Sequence, residues 1–235
     1  MKIKCVLFDI DDVLYDASLQ VEMARLNAIR AMTEAGLPSD VEIAYRVLKE
    51  IVREYGTDYP KHFDKLLERL GLRWEPRAIA AGVVAYRETN VAYLRPYPDT
   101  ITTLLKLRDL GYHLGAVSEG RTVKQWQKLI SLGLQHFFQY VLVSEELGSE
   151  TIGPELFKTA LEKLNLQPGE VAFVGKGLDP DILSANRAGV VSIRMRRGKS
   201  RSEEAKNDEM RPKYEIHKLS EILKILEEIN RKTKP

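Results

Sequence analysis

From residue 96 onward the sequence alternates short apolar runs with amphipathic stretches, and this alternation leaves few architectures open. Helical periodicity over 99–110 leads into a strand pattern at 113–117, and 122–132 leads into 140–143. The pattern repeats with 154–164 before 171–174 and 180–188 before 190–195. Strands joined through single helices and short connections specify right-handed crossovers, and so a parallel sheet covered on both faces. A short strand at 214–217 and a helix at 219–229 finish the series, and 231–235 reads as a frayed tail. The first strand lies far upstream. Ile3-Lys4-Cys5-Val6-Leu7-Phe8 is too continuously apolar to be half exposed, which places it inside the sheet.

Between 15 and 95 the period is helical throughout. Val21, Ala24, Ala28, Met32 and Ala35 form one apolar face, which stops at Gly36. Ser39 and Glu42 have capping-box spacing ahead of Ile43, Val47 and Ile51. Pro60 and Pro76 each stand where a further helix opens. The chain therefore reads as an α/β Rossmann-like open parallel sheet, from 1–14 and 96–230, interrupted by an all-helical insert at 15–95. An insert leaving the first strand's carboxyl end reads as a lid, because ligands of such sheets bind at strand carboxyl ends near the switch point.

Composition excludes several classes. With 44% apolar and 30% charged residues the chain is a globular protein rather than a disordered one. A formal charge of +2 is too small to suggest a nucleic-acid partner, and the locally basic 194–201 reads as a solvated loop. No stretch approaches the roughly 18 apolar residues of a membrane span, and nothing resembles a signal peptide, so a cytoplasmic location is expected. The single cysteine, Cys5, excludes an internal disulfide and reads as a buried, inert thiol. Only 12 Asn plus Gln against many Lys, Glu and Arg fits a thermophile. Oligomeric state is not legible; a monomer or dimer is expected.

The chemistry is expected where strands end in polar residues. Asp9 and Asp11 follow the first strand, Ser118 and Gly120 the second, and Lys176, Asp179 and Asp181 the fourth of the series. Two carboxylates one residue apart on a chain leaving a sheet converge on one small volume, and their repulsion calls for a cation or a shared proton. A hard ion such as Mg²⁺ supplies that charge and also binds a phosphate dianion.

The string Val6-Leu7-Phe8-Asp9-Ile10-Asp11-Asp12-Val13-Leu14 resembles the first motif of the haloacid dehalogenase superfamily, a strand followed by D-x-D-x-[T/V]-L. The similarity continues through the helical cap insert to Val117-Ser118 as the second motif and 175–181 as the fourth. It implies an Asp9 nucleophile forming an aspartyl phosphate with a small phosphorylated substrate, and Asp11 as acid and then base. It implies Ser118, with the amides of Glu119 and Gly120, on a phosphoryl oxygen, and Mg²⁺ held by Asp9, by the backbone carbonyl of Asp11 and by Asp181; Asp179, two residues from Asp181 in the same turn, is a secondary candidate. Arg53, Lys61, His62, Tyr86 and Arg87 are the insert's candidates for touching substrate, against the ordinary alternative of surface or packing.

Two positions depart from the pattern. The third motif's lysine falls at Thr151, and the fourth motif's first aspartate falls at Lys176. The family's four carboxylates and one lysine carry −3, whereas Asp9, Asp11, Asp181 and Lys176 carry −2, so metal attraction should weaken. Either Lys176 pairs with Asp9 or phosphate, or it points to solvent and the site is degraded. Hydrolysis of phosphomonoesters is the leading expectation. A metal-free haloacid dehalogenase and a catalytically silent ligand- or partner-binding relative are the alternatives.

Overall fold

A computed structural model describes residues 1–232. The chain folds as two compact units, one formed by Met1–Ser18 with the chain from Leu94 onward, the other by Leu19–Tyr93.

The first unit is built on β1 (Cys5–Phe8), β2 (His113–Ser118), β3 (Tyr140–Val143), β4 (Val171–Gly175), β5 (Val191–Met195) and β6 (Tyr214–Ile216). They form one sheet in the order β3-β2-β1-β4-β5-β6, parallel at every pairing. Sequence order runs outward from β1 through β2 to β3, then resumes on the other side at β4, so the switch point lies between β1 and β4. All four residues of β1 are buried, as its unbroken apolar run requires. Val6 and Phe8 pack on one face with Leu104, Leu107 and Leu129. Cys5 and Leu7 pack on the other with Phe157, Phe173 and Ala185, following the two-residue period of a strand.

The crossover helices are α5 (Thr100–Asp109), α6 (Thr122–Ser131), α7 (Pro154–Leu164) and α8 (Leu183–Arg187), and α9 (Ile222–Lys232) follows the last strand. The helical unit contains α1 (Ala17–Glu34), most of which belongs to it, α2 (Val41–Tyr55), α3 (His62–Arg69) and α4 (Pro76–Tyr93). Its core joins Ile29 and Met32 to Leu48, Ile51, Leu66, Leu67 and Ala78. Among the described residues no helix is long and apolar enough to cross a membrane.

Several local expectations are corrected. The cap of α2 is Asp40, one residue nearer the helix than Ser39, and its Oδ1 accepts from Glu42 N at 2.8 Å. The helix expected at 180–188 starts later: 178–182 form a wider turn with an extended residue at Asp179 before α8. The basic run is not a solvated loop throughout. Arg194 lies in β5 at 1% exposure, and its guanidinium reaches Glu215 and the carbonyl of Ser200. Arg231 and Lys232 extend α9 rather than fray, and 233–235 lie outside the described residues.

Candidate active site

Because β1 lies between β2 and β4, whatever follows those three strands is delivered to one place. Asp9 is the first residue past β1, and its amide donates to Val174 O across the switch point at 2.9 Å. Its carboxylate is fully buried, and both oxygens are engaged. Oδ1 accepts from Ile10 N at 2.7 Å and from Ser118 Oγ at 2.9 Å, while Oδ2 accepts from Lys176 Nζ at 2.6 Å. Ser118 ends β2 and Lys176 follows β4, so three of the sequence candidates meet on one carboxylate. The solvent-pointing alternative for Lys176 is overturned by that contact.

Asp11 carries a second lysine that the sequence reading missed. Lys128 Nζ on α6 lies 2.7 Å from each carboxylate oxygen of Asp11, and Tyr15 Oη donates to Oδ1 at 2.8 Å. The available signal was spacing: Lys128 sits three residues after Gln125 and one before Leu129, both buried, so it lies on the sheet-facing side of α6. Asp12, next in sequence, takes a left-handed conformation (φ 58°) that Asp tolerates. Its carboxylate accepts from Ser18 N at 2.8 Å and Ser18 Oγ at 2.6 Å, which fixes the turn that presents Asp11.

On the β4 side, Asp181 Oδ2 accepts from the amides of Lys176 at 3.0 Å and Gly177 at 2.9 Å. Gly175 permits this, since a Cβ there would stand 2.6 Å from the Phe173 ring and 2.9 Å from Asp181 Cβ. Arg194 Nε donates to Lys176 O at 3.4 Å, so the backbone beneath the lysine is held from two directions. Asp179 is exposed, and so is Thr151, whose backbone hydrogen bonds run to Ser149 Oγ. The expected role of the Gly120 amide is corrected, because it donates to Ser144 Oγ at 3.1 Å. The Glu119 carbonyl accepts from Gln125 Nε2 at 2.7 Å.

Charge and burial shift these groups in different directions. Burial alone would raise Asp11, but the ammonium groups of Lys128 and Lys176 and the hydrogen bonds from Lys128 and Tyr15 bring it below the usual carboxylate range. Asp181 is pushed up to about 7 by burial and by the charge of Asp9, against the pull of Lys176 and two backbone amides. Burial also raises Glu119. Lys176 is raised: burial opposes its charge, but Asp9, Asp181 and Asp11 outweigh that opposition.

In the helical unit, His62, Tyr86 and Arg87 line a cavity of about 210 Å³ together with Arg25, Tyr59 and Phe63. His62 Nε2 lies 2.9 Å from Gly56 O, and its pKa is lowered by burial. Arg53 and Lys61 are exposed.

The residues expected to hold Mg²⁺ do not fit a resident divalent ion. An ammonium group occupies Asp9 Oδ2, a second ammonium group, that of Lys128, stands at the Asp11 carboxylate beside the expected ligands, and Asp181 Oδ2 is taken by two amides. Among the described residues no cluster of three or more carboxylate, imidazole or thiol groups could hold a metal. Mg²⁺ wants near-octahedral oxygen ligands and no neighbouring cation.

Comparison with known proteins identifies the family. The chain is 52% identical over 229 residues to the glyceraldehyde 3-phosphate phosphatase of Methanopyrus kandleri, covering 97% of this chain and 98% of that one. It is 39% identical to the glyceraldehyde 3-phosphate phosphatase of Methanocaldococcus jannaschii, covering 97% and 99%. Its fold is similar to that of the hydrolase YfnB from Bacillus subtilis, solved bound to magnesium, at a TM-score of 0.67 and 22% identity over 96% of this chain and 99% of that one. Residues 3–189 match the family described as haloacid dehalogenase-like hydrolase. The chain belongs to the haloacid dehalogenase-like hydrolases.

Proposed function

We propose that the protein is a phosphatase of small phosphorylated metabolites, with glyceraldehyde 3-phosphate as its first candidate substrate, acting through an aspartyl phosphate on Asp9. The carrying observation is the Asp9 carboxylate held between Ser118 Oγ and Lys176 Nζ at the switch point. The names of the Methanopyrus and Methanocaldococcus relatives support the substrate class.

Asp9 is fully buried, whereas the side chains of Lys176, Asp11 and Lys128 keep 18%, 24% and 26% of their exposure. A phosphoryl group therefore reaches Asp9 past two ammonium groups, which neutralise its charge on the way in. In-line attack by an Asp9 oxygen forms the Asp9–phosphorus bond and breaks the bond to the ester oxygen, which takes a proton from Asp11. Water then attacks phosphorus while Asp11 accepts its proton, and the Asp9–phosphorus bond breaks, releasing inorganic phosphate and restoring the Asp9 carboxylate and the protonated Asp11. The first step needs Asp11 protonated, and the resting lysines oppose that. A bound phosphate dianion competes for the same ammonium groups and relieves the opposition. Ser118 is placed to turn its hydroxyl from Asp9 to a phosphoryl oxygen as charge develops there.

A degraded site has no support, since the unusual lysine faces the nucleophile and near relatives carry phosphatase names. Phosphate release from a panel of monoesters, glyceraldehyde 3-phosphate among them, tests the reading. Turnover that disappears in Asp9→Asn, with a labelled acyl phosphate trapped in the unsubstituted protein by rapid acid quench, is expected. Halide release from a 2-haloacid without monoester turnover would replace it with the dehalogenase reading, and a folded protein inert on both would leave a binding role.

A further inference from the structure

The position of Lys176 has a chemical consequence beyond holding Asp9. An ammonium ion has three N–H donors, and Asp9 Oδ2 takes one of them at 2.6 Å. The other two remain for phosphoryl oxygens arriving at the same carboxylate. The backbone of Lys176 is pinned by its amide to Asp181 Oδ2 and by its carbonyl to Arg194 Nε, so the side chain projects from a fixed base. Asp181, expected on a metal, instead closes the turn beneath the lysine through two amide hydrogen bonds. The cluster already holds two cations of its own, Lys176 on Asp9 and Lys128 on Asp11. A divalent ion on Asp9 Oδ2 would have to displace one cation and sit beside another.

We propose that the tethered ammonium of Lys176 stands in for a divalent ion, neutralising Asp9 and binding the transferring phosphoryl group, so that this phosphatase turns over without a divalent metal. The inference rests on the phosphatase reading above. It trades a doubly charged ion of fixed geometry for a singly charged group with three directional donors. It also makes function independent of free Mg²⁺ concentration.

The test compares protein stripped with EDTA, the same protein with added Mg²⁺, and the variants Lys176→Met and Lys176→Asp, each checked for folding by circular dichroism. Stripped and Mg²⁺-supplemented protein are expected to turn over within about twofold of each other, with no heat of Mg²⁺ binding by calorimetry. Lys176→Met should lose about 100-fold or more in kcat, without rescue by Mg²⁺. Lys176→Asp should bind Mg²⁺ measurably and respond to it. Loss of turnover in EDTA that Mg²⁺ restores, or Mg²⁺ binding by the unsubstituted protein, overturns the proposal. The calorimetric arm needs no variant and no activity. If no monoester is hydrolysed under either condition, the phosphatase reading fails, while Mg²⁺ binding still decides whether Lys176 fills the metal's place.

Discussion

Two lysine–carboxylate pairs stand within one cluster and differ in burial. Lys176–Asp9 joins a side chain at 18% exposure to one at 0%, whereas Lys128–Asp11 joins 26% to 24%. A charge buried without water must keep its partner, so the first pair is a fixed neutralising device whose rupture leaves an uncompensated carboxylate. The second keeps contact with solvent and is weakened by screening, so its strength can change when a phosphate dianion arrives. On this view Lys176 governs the nucleophile's charge and Lys128 governs the proton on Asp11.

The comparison breaks first at Asp9. Asp9→Asn should lower kcat on the order of 10⁵-fold, the scale of deleting a nucleophile, measured by phosphate release. A loss smaller than tenfold would move the nucleophile elsewhere. Next comes Ser118→Ala, which removes one donor to the reacting group and should cost about 10²-fold in kcat with a smaller change in KM.

Lys128→Met sharpens the contrast. It removes the main cation that holds Asp11 low, so the Asp11 pKa should rise, and the limb of the kcat–pH profile that it governs should move to higher pH. The drop in kcat at the optimum should stay within about tenfold, at the low end of acid–base effects. An unmoved profile would separate Lys128 from proton transfer. The folded pKa of Asp11 lies below its unfolded value, so its contribution to stability is present above about pH 4 and lost as pH falls through the folded value. In Lys128→Met that acid-side loss should shrink.

The smallest expected effect is thermal. Asp181 is raised to about 7 in the fold, so between its unfolded pKa near 3.9 and pH 7 the folded state holds the extra proton. Stability should therefore fall as pH rises through that window. Relative to Asp181→Asn, the Tm of the unsubstituted protein should decline as pH rises from 4 to 7. A flat difference would show that Lys176 keeps Asp181 ionised throughout.

The sheet was legible because buried parallel strands announce themselves as unbroken apolar runs, and β1, β3 and β4 lie where those runs are. Asp9, Asp11 and Ser118 were legible for a related reason, since a polar residue terminating such a run has one place to go. The direction of Lys176 was not. A lysine leaving a strand reads equally as solvated or inward, and only the neighbouring carboxylate decides. Lys128 was missed because helix lysines are exposed by default, and the acid that captures it lies 117 residues earlier in the chain. Arg194 was misread because a run of basic residues reads as a solvated surface, while its burial depends on Glu215 and two carbonyls supplied by other segments.

Cys5 lies in β1, hydrogen-bonded into the sheet on both sides, four residues ahead of Asp9, with burial pushing its thiol up to about 12. A thiol so protonated and enclosed is silent toward alkylating reagents until the central strand comes loose. The chain thus contains its own opening gauge: the rate at which a maleimide consumes this sulfur reports how often the scaffold behind the catalytic cluster lets go, without any probe being engineered in.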